Sequence, residues 1–151
     1  MRCIFTHRIF AENFLNIMKI VLYDDHPIIL DGLSNYFSKK EDVKVVGKAT
    51  KKAEVIALLQ SGEIDILVSD VMTDEELSLE LFEEIQAMQL QTKVVVYSSL
   101  HGDLVHSFLY EYGVVGIVNK CKGLEDLWQF IEFAYLTTKY KKKPQLASAY
   151  A

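Results

Sequence analysis

Apolar, β-branched segments alternate with helical patterns five times along this chain of 151 residues, and that alternation restricts the fold more than any other feature. The strand-like segments are 19–24 (KIVLYD), 43–49 (VKVVGKA), 65–70 (DILVSD), 93–98 (KVVVYS) and 114–120 (VVGIVNK). All but the second are nearly continuous apolar runs, which suits strands covered on both faces. In the second, Val43, Val45, Gly47 and Ala49 alternate with Lys44 and Lys48, which suits a half-exposed edge strand. Between the strands the apolar period changes to 3.6. Leu104, Val105, Phe108, Leu109 and Tyr112 make one stripe, and Leu124, Leu127, Trp128, Ile131 and Tyr135 make another. Both stripes predict helix faces turned to a core. Pro27 fits the first turn of the first helix, where its missing N–H is no loss.

Strict β-α alternation means a parallel sheet with helices on both faces. Right-handed crossovers narrow the topology further. An edge-type second strand matches the flavodoxin-like order 2-1-3-4-5, in which the site lies at the carboxyl ends of the strands, near the switch between the first and third. The residues closing those strands are Asp24 and Asp25, Asp70, Ser98 and Lys120. Parallel strands bring these ends to one edge of the sheet. Three carboxylates at close range repel, and burial aggravates the repulsion. Either their pKa values rise or a cation sits among them. Hard oxygen donors in a small cluster suit Mg²⁺, with Asp25 as ligand and Asp24 oriented beside it.

Size and charge limit the alternatives. The length fits one domain with a real core. A net charge of -5 argues against nucleic acid as the main partner, because phosphate binding needs a basic face. Cys3 and Cys121 form no CxxC motif and have no neighbouring histidine, which excludes a zinc site and a disulfide framework and predicts a cytoplasmic location. No apolar run reaches the length of a membrane span. In residues 1–17 the apolar character is broken by Arg8, Glu12 and Asn13 and no small-residue cleavage site follows, so this stretch is expected to be an N-terminal extension. The domain is predicted over 18–138, and 139–151 (KYKKKPQLASAYA) reads as a basic linker or tail with no helix-turn-helix in this chain.

DDHP, VSDVMT, VVVYSS and GIVNK fall in the order and spacing of a response regulator receiver domain, so the chain from about Met18 to Thr138 resembles that CheY-like family. DDHP and VVYSSLH are most similar to receivers that precede a LuxR-type helix-turn-helix in transcription regulators. The resemblance implies that Asp70 accepts a phosphoryl group from a histidine kinase. It implies that Asp24, Asp25, Asp70 and the backbone carbonyl of Met72 hold Mg²⁺, that Ser98 hydrogen-bonds one phosphoryl oxygen and that Lys120 pairs with another. It further implies no enzymatic activity beyond self-phosphorylation and self-dephosphorylation at Asp70. A homodimer through the face of the fourth helix, fifth strand and fifth helix is the corresponding partner expectation.

The sequence departs from that family in places. Thr73, Asp74 and Ser78 stand where Met-Pro and a helix-opening Gly are common. Thr73 to Glu76 matches a capping box, which predicts an early start for the third helix. Asp74, Glu75 and Glu76 then read as a solvated helix start, or as residues that tune metal affinity or kinase choice. Ile117 stands where an aromatic switch residue is frequent, and Cys121 reads as a small residue after the lysine. A haloacid-dehalogenase-type phosphatase would need a second Asp two residues after its nucleophile, where this chain has Met72. A flavodoxin would need a hydroxyl-rich loop after the first strand rather than DDHP. The alternative reading is a pseudo-receiver, a phosphorylation-independent interaction module. Such modules usually lose an acidic residue or the lysine, and here every position is filled.

Overall fold

The computed structural model describes residues 17–73, 76–77, 79–100 and 102–141. In chain order the elements are β1 (Met18–Tyr23), α1 (Pro27–Ser38), β2 (Val43–Ala49), α2 (Lys52–Gln60), β3 (Ile66–Ser69), β4 (Met72–Thr73), β5 (Glu76–Leu77), α3 (Leu79–Ala87), β6 (Lys93–Ser98), α4 (Asp103–Glu111), β7 (Val114–Asn119) and α5 (Leu124–Lys141). The main sheet is parallel throughout in the order β2-β1-β3-β6-β7. This is the 2-1-3-4-5 arrangement expected from the alternation, since β4 and β5 form a separate antiparallel hairpin.

The apolar runs of β1, β3 and β6 are buried along almost their whole length, as strands between two helix layers must be. On one face Ile20, Leu22, Ile66, Val68 and Val95 pack against Leu30, Leu33 and Phe37 of α1 and Leu127, Trp128 and Ile131 of α5. On the other, Val21, Leu67, Val94 and Val96 meet Val55 and Leu59 of α2, Leu81, Phe82 and Ile85 of α3, and Leu109 of α4. Each fully buried Leu, Ile or Phe contributes about 1.5–3 kcal/mol from surface removed from water. β7, the second edge, buries alternate residues only.

β2 is an edge strand, but its simple alternation needs correction. The register shifts between Ile20 and Val21: Val45 pairs with Ile20, and Gly47 pairs with Val21. Val46 is the extra residue of a bulge. Val43 and Val45 therefore face the α1–α5 core, whereas Val46 and Ala49 face the α2–α3 core. A one-residue bulge reverses the phase of a period-two pattern. Gly47 lets the bulge pack closely on α2, since a Cβ there would lie 2.5 Å from the end of the Leu58 side chain, which would have to shift.

The early helix start also needs correction. Thr73 pairs with Glu76 across the β4–β5 hairpin, and α3 begins at Leu79. The Met72 amide donates to Asp70 Oδ1 at 3.0 Å, which turns the chain back into an extended segment directly after the acidic residue. Asp74 and Glu75 lie outside the described residues. Capping by a glutamate operates one helix earlier, where Glu54 Oε2 accepts the amides of Thr50 and Lys51 at 2.9 and 3.2 Å.

Of the two predicted stripes, that of α5 is confirmed, with Leu127, Trp128 and Ile131 buried and Leu124 and Tyr135 half-buried. That of α4 is only partly core. Leu109 is buried and Val105 and Tyr112 are half-buried, but Phe108 is 42% exposed and Leu104 86% exposed. The helix rests beside the edge strand β7, so the surface beneath it is narrower than its apolar stripe. α5 continues to Lys141 and so takes in the first residues of the predicted tail. Residues 1–16 and 142–151, the bulk of the predicted extension and tail, lie outside the described residues. No helix among the described residues is long and apolar enough to cross a membrane.

Candidate functional site

β1 and β3 lie side by side with Tyr23 opposite Ser69, so the next residues on each strand, Asp24 and Asp70, emerge together. Backbone bonds fix both: the Asp70 amide donates to Tyr23 O at 2.9 Å and the Asp24 amide to Ala49 O at 3.2 Å. The Ser69 hydroxyl donates to the Asp70 carbonyl at 2.7 Å. Both carboxylates are buried. Lys120 follows β7 and opens a tight 3₁₀ turn over Lys120–Lys122, in which Asn119 Oδ1 accepts the Cys121 amide at 2.8 Å. From there Lys120 Nζ donates to Asp24 Oδ2 and to Asp70 Oδ2, both at 2.7 Å.

One ammonium thus bridges two buried carboxylates. Burial alone would lower the Lys120 pKa, but its hydrogen bonds to Asp24 and Asp70, together with their charges, raise it above its ordinary value. The Tyr97 ring centre lies 5.9 Å from the same Nζ. Burial pushes the Tyr97 phenol up, with the Lys120 charge opposing the shift.

The acidic pair is shaped by His26, which the sequence reading left without a role. Its amide donates to Asp24 Oδ1 at 2.9 Å, and its Nδ1 lies 3.0 Å from Asp24 Oδ1 and 2.8 Å from Asp25 Oδ1. The hydrogen bond with Asp24 and the charge of Asp25 raise the His26 pKa above 6.5. The only signal in the sequence was position: His26 precedes Pro27 and so is the residue at the start of α1, with its ring held against the end of β1.

Every residue proposed from the sequence lies at this edge of the sheet or next to it. Asp24, Asp70 and Lys120 are in direct contact, Met72 is tied to Asp70 through its amide, and Asp25 is tied to His26. Ser98 is buried at the end of the intervening strand β6, opposite Asn119, and its Oγ accepts the Leu100 amide at 3.3 Å. The oxygen donors of Asp24, Asp25 and Asp70 fit a hard divalent cation. Asp24, Asp25 and His26 offer one ligand atom each, all within 4.8 Å of one another.

A doubly wound parallel sheet whose strand ends gather an acidic pair, a third buried aspartate, a hydroxyl and a bridging lysine defines a receiver. The sequence profile of the response regulator receiver domain matches residues 20–132, and the chain belongs to that family as the receiver domain of a two-component response regulator. It is 27% identical over 134 residues to response regulator GacA of Pseudomonas aeruginosa, covering 89% of this chain and 62% of that protein. It is 26% identical over 118 residues to response regulator protein VraR of Staphylococcus epidermidis, covering 78% of this chain and 56% of that protein. The chain therefore spans less than two thirds of the length of these relatives. In fold it is similar to a LuxR-family two-component response regulator from Aurantimonas, with a TM-score of 0.73 and 24% identity over 79% of this chain and 85% of the other.

Proposed function

We propose that Asp70 accepts a phosphoryl group from a histidine kinase, with Mg²⁺ in the pocket, and that the modified pocket switches an output surface. The observation that carries this reading is Lys120 bridging two buried carboxylates at 2.7 Å. An Asp70 oxygen attacks phosphorus, the phosphorus–nitrogen bond of the phosphohistidine donor breaks, and its imidazole leaves with the electron pair. Such transfer demands positioning and charge neutralisation more than covalent assistance. The Met72 amide and Lys120 fix the two Asp70 oxygens, so the nucleophile is held before the donor arrives. Lys120 then has a phosphoryl oxygen as a new anionic partner. Bound Mg²⁺ would supply further neutralisation of the phosphoryl oxygens, with Asp24, Asp25 and Asp70 as the residues that hold it.

Ser98 carries the readout. Its hydroxyl can donate to a phosphoryl oxygen, and its present bond to the Leu100 amide links that movement to the segment entering α4. The output surface is the face of α4, β7 and α5, through which a homodimer would form. The activity proposed is limited to self-phosphorylation and self-dephosphorylation at Asp70, and the setting is the cytoplasm.

Intact mass after incubation with acetyl phosphate and Mg²⁺, beside an Asp70→Asn control, tests the reading. A phosphoryl mass gain in the wild type alone is expected. No gain with acetyl phosphate, and none with a cognate kinase, would overturn it in favour of a phosphorylation-independent module.

A further inference from the structure

The edge of the sheet opposite the phosphoacceptor pocket holds a cavity of about 470 Å³, at the amino ends of β3 and β6. Ile64, Ile66, Leu90 and Tyr135 give it an apolar lining, and Glu63, Asp65 and Lys93 bring charge. Its polar groups are engaged within the fold: Asp65 Oδ2 accepts the Lys19 amide and the Thr92 hydroxyl donates to Ile64 O, both at 2.8 Å. Leu90 meanwhile stays 38% exposed. The cavity therefore suits an apolar occupant with charge at its margin rather than a polar small molecule.

The chain itself leads to this place. Lys19 of β1 is bonded to Asp65 in both directions, since its carbonyl also accepts the Asp65 amide at 3.0 Å. Ile17, 53% exposed, stands two residues earlier, so about 7 Å of extended chain joins residues 1–16 to the cavity rim. Residues 1–16 lie outside the described residues, but their composition is on the page: six of the sixteen are Ile, Leu or Phe. Residues 142–151, which follow α5, have one, Leu146. The charges complement each other as well, with Arg2 and Arg8 against Glu12 in the segment and Glu63 and Asp65 against Lys93 at the cavity. We propose that residues 1–16 return to this amino edge and fill its cavity, with Phe10 and Phe14 on the apolar lining and Arg8 facing Glu63 and Asp65. Burial of the rings supplies the driving force, and the charges set the orientation. The tether at Met18 raises the local concentration of the segment, so contacts too weak for a free peptide suffice. Because this edge lies opposite Asp70, the docking stands or falls apart from the phosphoacceptor reading.

The test uses the full chain with Cys121→Ser, which leaves Cys3 as the single thiol, and attaches a nitroxide spin label there. Amide NMR signals at 62–66 and 89–93 are expected to be lost by paramagnetic broadening, while those at 24–26 and 98–100 on the opposite edge remain. Adding Phe10→Ser and Phe14→Ser to the labelled chain should restore the lost signals. In a mixture of spin-labelled chain with ¹⁵N chain that carries no spin label, no broadening is expected. Uniform broadening, or none, overturns the proposal. So does broadening that survives the two phenylalanine substitutions, or broadening that passes to the ¹⁵N chain in the mixture, which would seat the segment on a second copy.

Discussion

The pocket at the ends of β1, β3 and β7 and the helix α4 beside it obey different rules. In the pocket, burial and charge are locked together: Asp24 and Asp70 are withdrawn from water with Lys120 bridging them. On α4, an apolar stripe as regular as that of α5 leaves Leu104 86% exposed while Leu109 is fully buried. A buried charge dictates its partner, because leaving it unpaired costs several kcal/mol. An apolar residue dictates nothing until a surface lies opposite it. The pocket is therefore determinate and the α4 face is open, which suits a site that is set once and a surface that is read by others.

Removing the cation should break the comparison most severely. Lys120→Met is expected to destabilise the metal-free protein by about 3 kcal/mol at neutral pH, because two carboxylates are left buried without a counter-charge. Chemical denaturation measures this, and a second change, Asp24→Asn, should restore part of the loss. A loss under about 1 kcal/mol would mean that water already solvates the pair.

A smaller effect separates two leucines on the same helix. Leu109→Ala should cost about 2–4 kcal/mol, and Leu104→Ala no more than about 0.5 kcal/mol. Equal losses in thermal or denaturant unfolding would show that Leu104 is covered in solution, for instance by a second copy of the chain.

The smallest effect concerns His26. Its folded pKa is raised by Asp24 and Asp25. The interaction therefore contributes stability that is fully present below about 6.5, the ordinary histidine value, and is lost as pH rises through the raised folded value. In a metal-free NMR titration the His26 ring should titrate above 6.5, and Asp24→Asn should bring its midpoint down. A His26 midpoint at or below 6.5 would contradict the contacts of Nδ1 with the two carboxylates.

How much was legible in the sequence follows from the same contrast. Strand ends are marked by where an apolar run stops, so Asp24, Asp70, Ser98 and Lys120 could be placed on one edge, and the strand order followed from the alternation. The bulge at Val46 was invisible because both phases of β2 present valine or alanine to a core. The β4–β5 hairpin was masked by Thr73 and Glu76, whose spacing also fits a capping box; the Met72 amide on Asp70 decided between them. The exposure of Leu104 and Phe108 depends on the width of the surface under α4, which no periodicity records. His26 could not be assigned a role because its inward-facing nitrogen is a matter of one side-chain rotation.

The central claim is that this edge of the sheet makes Asp70, and no other carboxylate, the phosphoryl acceptor. Borohydride reduction of the protein after phosphorylation converts an aspartyl phosphate into homoserine, and peptide mapping then locates it. Homoserine at position 70 alone is the predicted result. Homoserine at position 24 or 25, or a phosphorylated protein with none at 70, would contradict the account.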